Sequence, residues 1–156
     1  MKWRSEDMDL YLQSTEYVDT AIVPLIPIAW GNQLKHTVLK GEFPLIVSEE
    51  LERQLKGRVV LFPTLSYLTS ESDVDIISRL LALKDELSEN GIPHIVFVSS
   101  DARWSDVDEL RADLINIPPV PLEHMEDEYR RDVIGEQVKH LLQIVTKKWQ
   151  NTKLGE

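Results

Sequence analysis

The sequence predicts an α/β domain in which helices cover both faces of a mostly parallel sheet. Four apolar runs, rich in β-branched residues and each too short to form a helix, lie at residues 21–28, 59–62, 94–98 and 114–118. Segments with helical periodicity fill most of the intervals between them. Such alternation is typical of right-handed crossovers between parallel strands. We therefore expect a single three-layer α/β/α domain with about four strands and a Rossmann-like arrangement.

The first predicted strand is apolar on both faces but contains two prolines. A short helix that begins near Ser5, with acids in its first turn, leads into this strand. The continuous apolar character of residues 21–28 predicts burial between two layers. Pro24 and Pro27, however, each lack the N–H that a ladder hydrogen bond needs. The prolines therefore predict an edge position or a bulged segment.

The interval after the first strand is difficult to assign. Residues 31–47 contain Gly41 and Pro44, which interrupt the helical spacing of the apolar positions. We expect either a long functional loop or a connector here. Ser48, followed by two acids, is predicted to cap the next helix, and Gly57 to end it.

The C-terminal half gives clearer helix boundaries. Ser72 with Asp75 resembles a capping box, and Gly91 is suited to end the helix that follows. A short helix is expected after Ser105. The last helix is predicted over about residues 126–150, because acids begin this segment and lysines lie near its end.

Composition indicates an ordinary globular protein. Hydrophobic residues make up 42% of the 156 residues, and the mean hydropathy is −0.23. We expect one domain over residues 1–150 and a frayed tail at residues 151–156. No stretch approaches the roughly 20 apolar residues of a membrane-spanning helix, so membrane insertion is not expected. The first residues lack the apolar core of a secretory signal, which predicts a cytoplasmic protein.

Charge and residue types exclude several classes of function. The absence of cysteine excludes disulfides, thiolate nucleophiles and thiolate zinc sites. A net charge of −10 argues against a nucleic-acid partner. Neither GxGxxG nor GxxxxGK[ST] occurs, and GxSxG and HExxH are also missing. The sequence therefore predicts no cofactor and no metal ligand set, and it leaves any catalytic residue unknown.

Candidate ligand-binding residues follow the predicted strands. In open α/β sheets, ligands bind beyond the carboxyl ends of the strands. The polar and aromatic residues expected there are Trp30, Asn32, Ser66, Tyr67, Ser99, Ser100, Asp101 and Trp104. These residue types also populate ordinary strand-to-helix turns, where they hydrogen-bond to local backbone. The sequence leaves both interpretations open.

The predicted function is that of a non-catalytic domain that binds a small ligand or a protein partner at this edge of the sheet. The alternative is a hydrolase, metal-dependent or metal-free, that uses Asp101 with His36 and His124. A third interpretation is a structural role, with the edge around Pro24 and Pro27 as an interface. The sequence leaves the ligand and the oligomeric state open.

The opening of the chain resembles the YpiF-like family. The similarity is most specific in residues 1–28, from MKWRSEDMDL through YVDTAIVPLIPI, and it extends over the whole chain. The members are small uncharacterised proteins of Bacillus and related Firmicutes. The resemblance implies a cytosolic bacterial protein, and it provides no activity, cofactor or catalytic residue that could be transferred.

A second resemblance, in the order of elements, is to the creatinine amidohydrolase family. In that family a strand that ends in proline leads to a metal-binding loop, and a later Pro-x-x-x-Tyr segment precedes a helix. Residues 22–24, 63–67 and 76–100 follow the same order. At the metal-binding positions this chain instead has AWGNQL at 29–34 and SSDARW at 99–104. The resemblance therefore implies at most a creatininase-like fold without its dinuclear metal site.

Overall fold

The computed structural model describes residues 1–154, which form a five-stranded sheet flanked by four α-helices. The helices and strands, in chain order, are α1 Ser5–Leu12, β1 Thr20–Ile28, α2 Leu34–Gln54, β2 Val59–Leu61, β3 Leu65–Leu68, α3 Asp73–Glu89, β4 His94–Ser99, β5 Leu114–Asn116 and α4 Asp127–Leu154. Two short 3-10 helices, Ala102–Trp104 and Asp108–Leu110, connect β4 to β5. No helix among the described residues is both long and apolar enough to cross a membrane.

All strand pairings are parallel, in the order β2-β1-β4-β5, and β3 continues β2 along β1. Thr20 lies opposite Val59 and Leu25 opposite Leu65, so the segment from β2 to β3 has one more residue than the matching part of β1. The strand order reverses between β1 and β4, which creates a topological switch point. The predicted α/β class is confirmed, with five strands instead of about four.

The predicted edge position of the first strand is wrong, because β1 has neighbours on both sides. Ile22 O accepts a hydrogen bond from Phe62 N, whereas Asp19 O accepts one from the first residue of β4. Backbone groups alternate in direction along a strand, so Pro24 faces the gap between β2 and β3. Pro27 faces the side of β4, beyond the last residue that β4 pairs. The N–H groups that Pro24 and Pro27 lack would therefore point to places where β1 has no paired strand residue, so no hydrogen bond between strands is lost.

Each face of the sheet has its own apolar core. Helices α1 and α3 cover one face, and α2 and α4 cover the other. Side chains alternate between the two faces along each strand: Ala21 and Val23 belong to the first core, and Ile22 belongs to the second. This arrangement confirms the expected three-layer domain.

Helix α2 begins much earlier than the sequence predicts. Ser48 lies inside the helix instead of capping it, and Pro44 also lies within the helix. Pro44 has no backbone N–H and so cannot donate a hydrogen bond to the carbonyl four residues earlier. The inner face of α2 is buried, and this packing outweighs the lost bond. At Gly41 the helix approaches β1 closely, since an added Cβ would lie 2.6 Å from Ile26 Cγ2. Tertiary packing, which local propensity does not report, therefore determines where α2 begins.

The other helix boundaries follow the sequence more closely. Ser72 Oγ accepts a hydrogen bond from Asp75 N at 3.2 Å, and Gly91 has a φ of 93° just after α3. The helix expected after Ser105 is only the short 3-10 helix Asp108–Leu110, and the other 3-10 helix ends before Ser105. Helix α4 continues to Leu154, past the predicted end at residue 150, because regular backbone bonding extends into the segment expected to fray. Residues 155–156 of that predicted tail lie outside the described residues.

Candidate functional site

A buried hydrogen-bond network lies beyond the carboxyl ends of β3 and β4. The Tyr67 hydroxyl donates to Asp101 Oδ2 at 2.8 Å, and Trp104 Nε1 donates to the Tyr67 oxygen at 3.0 Å. The two aromatic rings meet edge to face, with their centroids 5.5 Å apart. All three side chains are buried. We call Tyr67, Asp101 and Trp104 the Tyr67 network.

Asp101 is held in place by nearby backbone groups and by one distant lysine. Ser99 Oγ, at the end of β4, accepts a hydrogen bond from Asp101 N at 3.0 Å. Asp101 Oδ1 accepts one from Arg103 N at 3.1 Å and so caps the first 3-10 helix. Lys40 Nζ, on α2, lies 3.9 Å from the same Oδ1. The buried carboxylate is therefore held by a phenol, by backbone and by a cation.

Arg103 joins the loop after β3 to the loop after β4. Its Nε donates to Asp73 Oδ1 at 2.5 Å, and its terminal nitrogens donate to the carbonyl oxygens of Thr69 and Glu71. The guanidinium carbon lies 4.9 Å from the centroid of the Trp104 ring. These contacts fix the polar groups at this edge to one another.

Burial raises the pKa of the Tyr67 hydroxyl far above its usual range, and the hydrogen bond from Trp104 only partly offsets this rise. The phenol therefore stays protonated at neutral pH and serves as the donor to Asp101. A nucleophile or general base needs an accessible lone pair near the substrate. The polar atoms of the Tyr67 network are buried and bonded to one another, so the network fixes the loop after β4 to β3.

A small cavity of about 240 Å³, open to solvent, lies between the ends of β4 and β5. Its lining includes Ser100, Ser105 and Asn116, and Asn116 Nδ2 donates to Ser105 Oγ at 3.1 Å. Within the described residues, the buried Ser100 Oγ has no hydrogen-bond partner. Ligand sites usually have volumes of about 300–1,000 Å³. This cavity is below that range and suits a water molecule or a small polar group.

An apolar groove of about 390 Å³ opens where β1 meets the first half of α2. We call it the Trp30 groove, and its apolar lining includes Ile26, Ile28, Trp30, Leu34, Val38 and Leu45. Trp30 is 89% exposed. Leu68, which pairs with Ile28 across β1 and β3, adds further exposed apolar surface. An exposed apolar patch of this kind at a strand carboxyl edge marks a candidate interaction surface.

The structure brings only some of the eight predicted site residues together. Tyr67, Asp101, Trp104 and Ser99 share one hydrogen-bonded cluster, and Ser100 is next to them in the chain. The other three predicted residues, Trp30, Asn32 and Ser66, are exposed and make no described side-chain hydrogen bond to this cluster. Trp30 instead lines the apolar groove.

Two residues that the sequence did not single out complete this edge. Lys40 lies in the interval that was left unassigned, and only the position of α2 brings it to Asp101. Arg103 was visible in sequence directly before Trp104, but its partners come from the loop after β3. No local spacing indicates either contact.

The histidines of the alternative hydrolase site are exposed, whereas Asp101 is buried. Next to His124, Glu123 Oε1 pairs with Lys35 Nζ at 2.5 Å, and this hydrogen bond lowers the pKa of Glu123. His36 also lies on the surface. The described residues contain no group of three or more His, Asp or Glu side chains that could hold a metal ion.

Similarity to known proteins establishes the family. A family model described as "Protein of unknown function (DUF2487)" matches residues 9–149. The chain belongs to this family. A relative, "Uncharacterized protein YpiF" of Bacillus subtilis (strain 168), is 40% identical over 149 residues, which cover 96% of this chain and 98% of the relative.

This relationship confirms the YpiF-like resemblance seen in the sequence. No solved structure matches the chain. The similarity to creatinine amidohydrolases finds no support among these matches. Neither the family nor the relative is described with an activity, so the geometry of this DUF2487 chain is the basis for its function.

Proposed function

We propose that this DUF2487 chain is a non-catalytic binding domain whose Trp30 groove accepts an apolar segment of a protein partner. The observation that carries the proposal is the exposed Trp30 side chain beside an apolar groove, at the edge where open α/β sheets bind ligands. We further propose that the partner meets the domain in the cytoplasm, in keeping with a chain that has no cysteine.

Charge complementarity specifies the partner. Among the described residues, Glu42 is the only ionisable one that lines the groove, and the whole chain has a net charge of −10. A second copy of the chain, or an acidic segment, would be repelled by this field. A segment with a large apolar side chain next to lysine or arginine would fill the groove and complement the charge.

The state of the polar groups favours binding over hydrolysis. The Tyr67 hydroxyl and Asp101 are buried and bonded to each other, and Arg103 is engaged by Asp73. A hydrolase at this edge would need a free nucleophile or an activated water beside a positioned base. Tyr67 instead pairs with Pro27, which lines the exposed apolar groove, so the network and the groove are suited to present a fixed surface to a partner.

Selection from a displayed peptide library, followed by affinity measurement on purified peptides, tests this proposal. We expect the selected peptides to carry an aromatic or large aliphatic residue beside Lys or Arg. Trp30→Ala should weaken their binding about tenfold or more, because exposed tryptophans are frequent interface hot spots. Val74→Ala, which shortens another exposed apolar side chain outside the groove, is the matched control and should leave affinity unchanged. Selection without this pattern, or equal effects of the two variants, would contradict the proposal.

A further inference from the structure

A second groove, on the opposite side of the sheet, combines aromatic rings with a carboxylate. It has a volume of about 310 Å³ and lies between α1, α3 and the edge strand β2. Three aromatic residues line it, Trp3, Tyr11 and Phe62, and aliphatic side chains complete the walls. Glu86 is the one charged side chain among the described residues that line it, and Asn90 adds an amide. We call this the Trp3 groove.

The rings of the Trp3 groove are accessible to a ligand. Trp3 is 58% exposed, and its ring centroid lies 5.0 Å from that of Phe62 at an angle of 45°. Within the described residues, arginines stack over Tyr67, Trp104 and Trp149, but no cation lies over the three rings of this groove. The negative faces of these rings therefore have no cationic partner from the described part of the chain.

Glu86 gives the groove a negative charge. Its carboxylate makes no hydrogen bond or ion pair with another described side chain, and only its backbone carbonyl accepts a bond, from Asn90 Nδ2 at 2.7 Å. Asp85 and Glu89, on the same helix, also make no described hydrogen bond or ion pair, but among these three carboxylates only Glu86 lines the groove. A free carboxylate beside aromatic rings favours a positively charged group with apolar substituents.

We propose that the Trp3 groove is a binding site for a small organic cation of the alkylammonium class. The aromatic and aliphatic walls would contact the alkyl groups, and Glu86 would neutralise the charge. The acidic field of the whole chain adds long-range attraction for a cation and disfavours anions. This site is separate from the Trp30 groove and does not depend on the function proposed for it.

Titration with choline and with its neutral isostere 3,3-dimethylbutan-1-ol tests the proposal, with the Trp3 indole N–H followed by NMR on ¹⁵N-labelled full-length protein. Both probes have the same shape, so a difference between them reports the charge alone. We expect choline to shift the Trp3 signal and to bind at least about fivefold more tightly than the isostere. Equal affinities, or no shift with choline up to solubility-limited concentrations, would overturn the proposal.

Variants separate this site from non-specific attraction. Glu86→Gln should weaken choline binding several-fold, and Trp3→Leu, which keeps an apolar wall but removes the ring, should do the same. Glu89→Gln lies on the same helix outside the groove and removes the same charge, so it should have no effect. Equal loss with Glu86→Gln and Glu89→Gln would reduce the binding to bulk electrostatics and overturn the proposal.

A further titration distinguishes a free cation from the side chain of a protein. Nα-acetyl-lysine amide carries a more strongly hydrated ammonium and should bind more weakly than choline. Tighter binding of the lysine derivative would assign the groove to a lysine of a protein partner and would contradict a small-molecule site. The dispersed spectrum of each variant confirms that it is folded.

Discussion

Replacement of Tyr67 by phenylalanine should destabilise the domain strongly, because it removes the hydroxyl at the centre of the Tyr67 network. That oxygen donates to Asp101 and accepts from Trp104 Nε1. The variant leaves a buried carboxylate oxygen and a buried indole N–H without their partner. The phenylalanine ring keeps the packing, so the measured loss reports the polar network.

The magnitude follows from the two lost bonds. A hydrogen bond to a charged group contributes about 1.5–3 kcal/mol, and an unsatisfied buried donor costs about 1–3 kcal/mol. Relaxation around Asp101 recovers part of this, so the free energy of unfolding should fall by about 2–4 kcal/mol. This is a large share of the about 5–15 kcal/mol that stabilises a typical domain.

Equilibrium urea unfolding, followed by circular dichroism and fluorescence, measures the change. We expect the midpoint to fall by about 1–2 M urea for Tyr67→Phe. Tyr17→Phe, at an exposed tyrosine, is the matched control and should stay within about 0.5 kcal/mol of the unmodified chain. A loss below about 0.5 kcal/mol for Tyr67→Phe would refute the assignment of this network as a structural support of the edge.

Three further changes test other parts of the structure. Gly41→Ala should lower the free energy of unfolding by about 1–3 kcal/mol, because the added Cβ would lie 2.6 Å from Ile26 Cγ2. Gly135→Ala is the control: its added Cβ would have no neighbouring atom within 4 Å, so it should be neutral or stabilising in the same urea assay. Ser72→Ala should cost about 1 kcal/mol through loss of the α3 cap, and an unchanged urea midpoint would contradict this. Burial raises the pKa of Asp113, but hydrogen bonds from two lysines have the larger effect and lower this pKa below its ordinary value of 3.8. In acid, the Asp113 carboxylate of the folded state therefore binds fewer protons than that of the unfolded state. The stabilisation from Asp113 is therefore present above that value and lost on acidification through the lowered pKa, and Asp113→Asn should flatten the acid limb of stability measured against pH.

The sequence predicts much of this fold because its strands and several caps are local signals. The β-branched runs became the strands, and the Ser72 cap and the Gly91 stop lie where the spacing places them. Of the two interpretations of Pro24 and Pro27, the edge position is wrong, whereas irregular pairing is present, since the segment from β2 to β3 has one extra residue opposite β1. Which strand each proline faces is a further matter. That direction is set by the register with β3 and β4, which no local pattern contains.

The site is less predictable than the fold for the same physical reason. The rule for strand carboxyl ends found Tyr67, Asp101 and Trp104, since these residues directly follow or end strands. Their mutual hydrogen bonds join residues more than thirty positions apart. The sequence predicts only the second half of α2, because Pro44 and Gly41 break local propensity in the first half, and that half lines the Trp30 groove and carries Lys40.

The four tryptophans provide the most direct test of the proposed function, because each reports a different place. Trp30 lines the proposed docking groove, Trp3 the second groove, Trp104 the buried network, and Trp149 lies beneath Arg58. The decisive measurement is the shift of their indole N–H signals during titration with a peptide that carries an aromatic residue beside lysine. A saturable shift of Trp30, with Trp104 and Trp149 unchanged, is the predicted result. Saturable binding that leaves Trp30 unmoved, or the absence of any binding, would contradict the assignment of the Trp30 groove as a docking surface.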